Sequence, residues 1–209
     1  MSLICPAVLA ADPQDYRRKI NIVTAFAKRI HIDLSDGDFA PGRSINPIQA
    51  WWPPGVLADI HLMYRHPLEH IETMVSLGPN LAIIHAEAEG DLAGMMEHLK
   101  RCGQKIGLAM LADTEPDRVS QLIGLADHVL IFSGKLGSYG GSADLSLLQK
   151  IGAVKRINSQ AEIGWDGGAD PSNVQTIAAA GVEVIVAGGS IMQAGDPAAE
   201  YAKLANSIS

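Results

Sequence analysis

Eight short apolar runs, rich in Ile, Val and Leu, recur along the 209-residue chain and are separated by longer amphipathic segments. The runs cover residues 3–10, 29–34, 57–63, 80–85, 105–111, 128–132, 161–165 and 182–187. A continuous apolar run of this length is typical of a strand buried on both faces, as in a parallel sheet. The repeat therefore predicts an α/β chain in which strands and helices alternate.

Helices are predicted between these strands, over residues 13–28, 67–77, 91–101, 116–125, 145–157, 171–180 and 197–206. Three of them begin with an Asp-Pro pair, which supplies a side-chain acceptor at the N-cap and a fixed φ at the first helical position. These pairs are Asp12-Pro13, Asp170-Pro171 and Asp196-Pro197. The connection after the second strand contains Trp-Trp-Pro-Pro at 51–54, so any helix there is expected to be short.

The number of repeats distinguishes two α/β architectures. An open doubly wound sheet typically uses five or six strands, whereas eight regular strand–helix units favour a closed (β/α)8 TIM barrel. No low-complexity linker divides the sequence. We therefore expect residues 1–209 to form a single barrel domain.

Composition narrows the classes of partner. The net charge is −7 and no basic stripe is present, which disfavours a nucleic acid. No apolar run approaches the ~20 residues of a spanning helix, so we expect no membrane partner. A small phosphorylated molecule remains compatible with this charge, because backbone N–H groups can bind one phosphate.

The remaining compositional expectations concern location and assembly. Residues 1–6 contain no basic region ahead of an apolar stretch, so we expect no signal peptide. Cys5 and Cys102 are the two cysteines, which fits a reducing cytoplasm better than a disulfide framework. We expect a homo-oligomer, with residues 51–54 either at an interface or packed on the barrel.

Polar residues end three of the predicted strands. His31 and Asp33 end the second strand and share one face, His61 ends the third, and Asp166 follows the seventh. Chemistry in this fold collects at the C-terminal ends of the strands. Two imidazoles and two carboxylates there predict a site for zinc, manganese, cobalt or iron(II).

The two carboxylates have a second predicted use. Asp33 and Asp166 come from different sides of the ring, so they can approach a bound substrate from its two faces as an acid/base pair. Taken singly, each residue also has a plain structural explanation, as a hydrogen-bonded histidine or a turn-forming aspartate. His85, at the end of the fourth strand, is expected either to hydrogen-bond a rim carboxylate or to cap its strand.

Glycine-rich segments follow the sixth, seventh and eighth strands. Glycine lets the backbone approach an anion closely, and the loops after strands 7 and 8 are the usual phosphate site of this fold. The alternative is a set of tight turns in a short-looped barrel. The candidate phosphate-binding residues are Gly140, Gly141, Gly167, Gly168, Gly189 and Ser190.

These residues, with their order and spacing, resemble the ribulose-phosphate 3-epimerase family. The resemblance lies in the stretches that begin at Cys5, His31, Asp59, Ile84, Asp166 and Val186. It implies a TIM barrel of the ribulose-phosphate-binding type, a divalent metal on His31, Asp33, His61 and Asp166, and acid/base roles for the two aspartates. It also implies a cytoplasmic isomerase of pentose phosphate metabolism that inverts C3 of a ketose phosphate through an enediolate.

The chain departs from the family pattern around the predicted substrate. The family usually has Ser where this chain has Ala7, and Met where it has Ser35 and Phe132. With Met63, these residues are the predicted substrate wall. The substrate is therefore ribulose 5-phosphate or a related sugar phosphate whose identity the altered wall leaves open.

Three rival functions remain at this point. A Schiff-base aldolase would use Lys135, just beyond the sixth strand, although this lysine is also explained as a solvated or phosphate-contacting residue. A decarboxylase of the related phosphate-binding barrels needs a lysine set among the rim aspartates, which the second strand lacks. A phosphosugar-binding barrel with an idle site is the third alternative, although unused buried charge is costly.

Overall fold

The computed structural model describes residues 2–208, so Met1 and Ser209 of the predicted domain lie outside the described residues. Eight parallel strands pair in sequence order, and the eighth pairs with the first to close a barrel. The predicted strands are confirmed, with ends shifted by at most two residues, and so is the (β/α)8 TIM barrel. The strands are β1 Leu3–Leu9, β2 Arg29–Ser35, β3 Leu57–Met63, β4 Leu81–His85, β5 Ile106–Met110, β6 His128–Phe132, β7 Glu162–Asp166 and β8 Val184–Ala187.

Helices follow most of the strands. They are α1 Pro13–Thr24, α2 Ile71–Leu77, α3 Leu92–Arg101, α4 Ser120–Leu125, α5 Lys150–Ile157, α6 Val174–Ala179, α7 Gly189–Met192 and α8 Pro197–Ser207. Short 3₁₀ turns at Pro67–His70, Pro116–Val119 and Leu145–Gln149 precede α2, α4 and α5. The β2–β3 connection contains only the 3₁₀ turn Pro47–Gln49, as its prolines predict. None of the helices in residues 2–208 is long and apolar enough to cross a membrane.

Two of the three predicted helix starts are confirmed. The side chains of Asp12 and Asp196 accept hydrogen bonds from backbone amides of the first turns of α1 and α8. The prediction at Asp170 is wrong, because α6 begins only at Val174. The Asp170 carboxylate accepts instead from the Ser172 amide at 2.7 Å, which closes a turn before the helix.

The core has two layers, because successive side chains of a strand point to opposite faces. Outward-facing residues such as Ile30, Ile32 and Leu34 are fully buried between strands and helices. The barrel interior holds a separate apolar cluster of Cys5, Ala7, Leu81, Ile83, Ala109, Leu130, Val184 and Val186. This inner layer lies below the C-terminal rim of the barrel.

An ionic network lies across the opposite, N-terminal end. The Arg29 guanidinium donates to Asp59 at 2.7 Å and to both carboxylate oxygens of Glu162 at 2.9 and 2.8 Å. His128 Nδ1 lies 2.8 Å from Glu162 Oε2. These residues belong to β2, β3, β6 and β7, so the network joins strands from different sides of the ring. The open end is therefore the C-terminal one.

Candidate functional site

Four side chains meet at the C-terminal mouth of the barrel. His31, Asp33, His61 and Asp166 each offer a ligand atom, and these atoms lie within 4.8 Å of one another. Strand register accounts for three of them, because Asp33 pairs with His61 across β2 and β3, and His31 precedes Asp33 by two residues on the same face. Asp166 reaches the cluster from β7, with β8 and β1 between it and β2.

The contacts within this cluster leave one nitrogen without a hydrogen bond. His61 Nδ1 lies 3.0 Å from Asp33 Oδ1 and 3.7 Å from Asp166 Oδ2. His31 Nε2 lies 3.3 Å from Asp33 Oδ1 and 3.8 Å from Asp166 Oδ2. Although buried, His31 Nε2 makes no hydrogen bond with any described residue. A nitrogen so placed between two carboxylates is suited to a cation.

The donor set fits a divalent cation. Two imidazole nitrogens and two carboxylate oxygens are the ligands that zinc and its borderline neighbours accept. Both histidine side chains are at most 1% exposed, and the two aspartates are 12% and 13% exposed. The carboxylates therefore form the solvent-facing side of the cluster.

Burial and charge separate the acid strengths of the two aspartates in the protein alone. Burial raises the pKa of Asp166, and the negative charge of Asp33 raises it further. Burial also acts to raise the pKa of Asp33, but the charge of His31 holds it well below its usual range. Burial lowers the pKa of His61 to about 4, so this imidazole is neutral. The two carboxyls of this site thus differ in acid strength.

A histidine–glutamate pair lies behind His61. His85 Nε2 is 2.9 Å from His61 Nε2, and His85 Nδ1 is 3.3 Å from Glu87 Oε2. The expected contact of His85 with a rim carboxylate is confirmed, and that carboxylate is Glu87. Our sequence reasoning missed this role of Glu87. The available signal was the i,i+2 spacing from His85, which is also the spacing of His31 and Asp33.

The cluster opens into a cavity of about 490 Å³. Asp33 and Asp166 line it together with the predicted wall residues Ala7, Met63 and Phe132. All six predicted phosphate-binding residues line it too: Gly140, Gly141, Gly167, Gly168, Gly189 and Ser190. The predicted sites for catalysis and for phosphate are thus parts of one cavity.

Ser35 is the one predicted wall residue that does not line this cavity. It is 2% exposed, and its hydroxyl donates to the Gly42 carbonyl at 2.7 Å. Its amide donates to the Ser44 hydroxyl at 2.9 Å. The side chain thus fixes the loop that follows β2.

Close backbone approach explains two glycines after β7. Gly167 and Gly168 have φ angles of 120° and 68°, which favour glycine. A Cβ on Gly167 would lie 2.0 Å from the Gly134 nitrogen, and one on Gly168 would lie 2.2 Å from the Ala143 nitrogen. The β6 and β7 loops therefore pack backbone to backbone at the cavity wall.

The same wall offers unused hydrogen-bond donors. Within residues 2–208, the amides of Gly140, Gly141 and Gly168 donate no hydrogen bond. The Ser190 hydroxyl, in contrast, is engaged, because it donates to the Ala169 carbonyl at 3.0 Å. Free amides at one wall of a cavity are suited to an anion.

Tyr139, in the loop after β6, is a cavity residue that sequence reasoning did not single out. Its hydroxyl accepts from the Leu9 amide at 2.7 Å and donates to the Ala7 carbonyl at 3.2 Å. Lys19 Nζ lies 5.1 Å from the centre of its ring. An aromatic residue among glycines was the only sequence signal, and it did not indicate a contact with β1.

Lys135 lies three residues beyond the end of β6 and is exposed. It is the one lysine or arginine among the described residues that line the cavity. A Schiff-base aldolase of this fold places its lysine on the sixth strand, whereas this lysine belongs to the glycine-rich loop. Its position beside the glycine segments fits contact with an anion.

Comparisons with known proteins agree with this geometry. The family described as the ribulose-phosphate 3 epimerase family matches residues 3–192. A ribulose-phosphate 3-epimerase of Rhodobacter capsulatus is 28% identical over 204 residues, covering 92% of this chain and 86% of the relative. The Synechocystis protein of the same name is 29% identical over 215 residues, with 98% and 94% covered. A solved 3-hexulose-6-phosphate synthase superposes with a TM-score of 0.74 over 100% of both chains at 19% identity, a likeness of fold alone.

Proposed function

The chain belongs to the ribulose-phosphate 3-epimerase family, and we propose that it is a carbohydrate epimerase that inverts C3 of a ketose phosphate. The substrate would be ribulose 5-phosphate or a related sugar phosphate. One observation carries the proposal: Asp33 and Asp166 line the same cavity as the glycine-rich segments. A phosphate held at the glycines would bring a sugar carbon to the two carboxyls.

The aspartates perform the proton transfers in this proposal. One carboxylate removes the C3 proton and leaves an enediolate, and the other carboxyl returns a proton from the opposite face, which inverts the carbon. In the protein without a metal, the pKa of Asp33 is lowered and that of Asp166 is raised, which supports different protonation states for the two carboxyls. Which of them acts first depends on the configuration of the substrate.

His31, Asp33, His61 and Asp166 would hold the divalent metal, which we propose to be zinc, iron(II), manganese or cobalt. When bound, such a cation supplies Lewis acidity toward negative charge that develops on the substrate oxygens. The unpaired His31 Nε2 and the buried histidines support this assignment.

The phosphate would be bound by the loops after β6, β7 and β8. The free amides of Gly140, Gly141 and Gly168 support hydrogen bonding to its oxygens. We assign Gly167, Gly189 and Ser190 to the same subsite, since they line the same cavity. Lys135 would add a positive charge at its edge.

Ala7, Met63 and Phe132 would form the wall around the reacting carbon, since they line the cavity with the aspartates. We propose that Ser35 shapes this wall indirectly, through the loop that its hydroxyl fixes. The small side chain of Ala7 and the ring of Phe132 would then select among ketose phosphates.

The remaining proposals concern the whole chain. We propose one domain over residues 1–209 that acts in the cytoplasm as a homo-oligomer without a nucleic-acid partner. The net charge of −7 supports the last point. The 76% exposure of Ile48 and the 38% exposure of Trp51 support an interface at the β2–β3 connection.

A deuterium-exchange experiment tests the function. The metal-loaded protein is incubated in D₂O with a panel of ketose phosphates that includes ribulose 5-phosphate. We expect deuterium at C3 and appearance of the C3 epimer for at least one of them. Absence of both with every ketose phosphate would exclude the epimerase and favour an idle site.

The same panel addresses the aldolase alternative. Borohydride reduction in the presence of each sugar phosphate, followed by mass spectrometry, reports a Schiff base as a covalent adduct. We expect no adduct on Lys135, because this lysine lies in the exposed loop rather than on β6.

A further inference from the structure

A continuous chain of side chains runs from the candidate metal cluster into the protein. Asp33 Oδ1 lies 3.0 Å from His61 Nδ1, and His61 Nε2 lies 2.9 Å from His85 Nε2. His85 Nδ1 in turn lies 3.3 Å from Glu87 Oε2. Both imidazoles are completely buried. The chain Asp33–His61–His85–Glu87 therefore has three links.

The number of hydrogens available does not match the number of links. Each link between acceptor atoms needs one hydrogen, and a neutral imidazole carries one N–H. An imidazole that binds a metal is neutral. If His61 binds through Nδ1, its hydrogen is on Nε2, and His85 must be neutral as well in order to accept it at its own Nε2. The two imidazoles supply two hydrogens for three links, so one link must be held by something other than a hydrogen.

The Glu87 end of the chain requires a hydrogen. Glu87 Oε1 accepts from the Leu111 amide at 2.9 Å and from the Thr114 hydroxyl. These bonds and the one with His85 hold the pKa of Glu87 below its usual value although burial acts to raise it. An ionised carboxylate only accepts, so the hydrogen of His85 must be on Nδ1.

The position of the hydrogen on His61 follows from its position on His85. With its hydrogen on Nδ1, His85 has a bare Nε2 that accepts from His61 Nε2–H. The hydrogen of His61 is then used, and its Nδ1 is bare. This atom faces the carboxylates of Asp33 and Asp166 at 3.0 and 3.7 Å. The link without a hydrogen is thus the one that a cation would fill.

We propose that Glu87 and His85 are positioning residues that fix the tautomer of His61, so that its bare Nδ1 faces the metal cluster. This inference rests on the proposed function, because it concerns the ligands of the proposed metal.

Lys150 stabilises the loop whose Leu111 amide and Thr114 hydroxyl donate to Glu87. It is 3% exposed, and its Nζ donates to the carbonyls of Leu111, Ala112 and Thr114 at 2.9, 2.7 and 2.8 Å.

The isosteric substitution Glu87→Gln should reverse the direction of these hydrogen bonds. The amide oxygen of the new side chain would accept from Leu111 and Thr114, so its NH₂ group would face His85 Nδ1. His85 would then carry its hydrogen on Nε2 and donate to His61 Nε2. The hydrogen of His61 would move to Nδ1, the atom that faces the cluster.

The test measures Mn²⁺ affinity of the metal-free protein by calorimetry and the imidazole tautomers by long-range ¹H–¹⁵N NMR. We expect Glu87→Gln to weaken Mn²⁺ binding by about 10- to 100-fold, the range for groups that orient metal ligands. The hydrogen of His85 should move from Nδ1 to Nε2. Glu89→Gln is the matched control, because Glu89 is 58% exposed and pairs with Arg65. It should leave the affinity and both tautomers unchanged.

An Mn²⁺ affinity of Glu87→Gln within twofold of the wild type, or an unchanged His85 tautomer, overturns the proposal.

His85→Phe is a second variant in case the first does not fold. Its ring fits beside Phe39 and Phe132, whose centroids lie 4.8 and 5.8 Å from that of His85. It removes the acceptor of His61 Nε2–H and should also weaken binding at least 10-fold, and an unchanged affinity contradicts the inference. If the wild type binds no Mn²⁺, the proposed function fails, whereas the NMR spectra still report the tautomers.

Discussion

At the scale of single residues, the side chains of Asp33 and Asp166 differ in pKa because their neighbours differ. Asp33 lies 3.3 Å from His31, whose positive charge favours the ionised form of this carboxyl. Asp166 lies farther from His31, at 3.8 Å, and next to the charge of Asp33. Burial and the charge of Asp33 thus raise the pKa of Asp166, whereas the charge of His31 lowers that of Asp33.

Replacing either aspartate should remove epimerisation. We expect Asp33→Asn and Asp166→Asn each to lower the rate of C3 inversion by about 10²- to 10⁴-fold, because an amide neither removes nor returns the proton. The rate is measured with the ketose phosphate identified by the deuterium panel, together with metal content and circular dichroism. Asp38→Asn is the control, since Asp38 is 62% exposed and pairs with Arg65 outside the cavity. A variant that keeps wild-type inversion would remove that aspartate from the mechanism.

At the scale of elements, the loop after β6 is attached to a strand on another side of the ring. The Tyr139 hydroxyl accepts from the Leu9 amide and donates to the Ala7 carbonyl of β1. Its ring packs over Gly188, where a Cβ would lie 2.9 Å from it. This contact fixes the loop that contributes Gly140 and Gly141 to the proposed phosphate subsite.

Tyr139→Phe should loosen this loop. The Leu9 amide would lose its acceptor, so we expect a loss of about 1 kcal/mol in the free energy of unfolding. The KM for the sugar phosphate should rise more than kcat falls, because the change affects phosphate binding and not the aspartates. Urea unfolding and steady-state kinetics measure these quantities. Tyr201→Phe is the control, since the Tyr201 hydroxyl forms no hydrogen bond with the described residues. An unchanged KM would mean that Tyr139 does not position the loop.

At the scale of the whole molecule, the two ends of the barrel carry different groups of charged residues. The C-terminal end gathers two carboxylates and two imidazoles whose ligand atoms lie within 4.8 Å of one another, whereas the N-terminal end pairs Arg29 with Asp59 and Glu162. Hydrogen bonds from His128 and Arg29 outweigh burial and hold the pKa of Glu162 well below its usual range. This network therefore stabilises the folded barrel.

Glu162→Gln should destabilise the barrel in a pH-dependent way. Because folding lowers the pKa of Glu162, its contribution is full above the unfolded value of about 4.3 and is lost as pH falls toward the folded value. We expect a loss of about 2 kcal/mol at pH 7, below the range for fully buried pairs because the side chain is 33% exposed. The difference from the wild type should shrink below about pH 4. Urea unfolding across pH measures it, with the exposed Glu97→Gln as control. A difference that does not change with pH would contradict the ionic origin.

The strands and several candidate site residues of this protein are predicted by local patterns in its sequence. The eight apolar runs predict the eight strands because a strand buried on both faces is a continuous apolar run, not an alternating one. Such a run is visible in the sequence without tertiary information. The i,i+2 pair His31 and Asp33 and the glycine segments are local features in the same sense, and the fold brings them to one rim. The sequence by itself thus determined the barrel, the end at which the candidate site lies and the four members of the candidate metal cluster.

What the tertiary structure decided are contacts between residues distant in sequence. The hydroxyl of Tyr139 reaches β1 across 130 residues, and Glu87 meets Thr114 in another loop across 27 residues. The direction of these side chains and their hydrogen-bond partners depend on which residues the closed barrel brings close together. Those distances cannot be read from a single sequence.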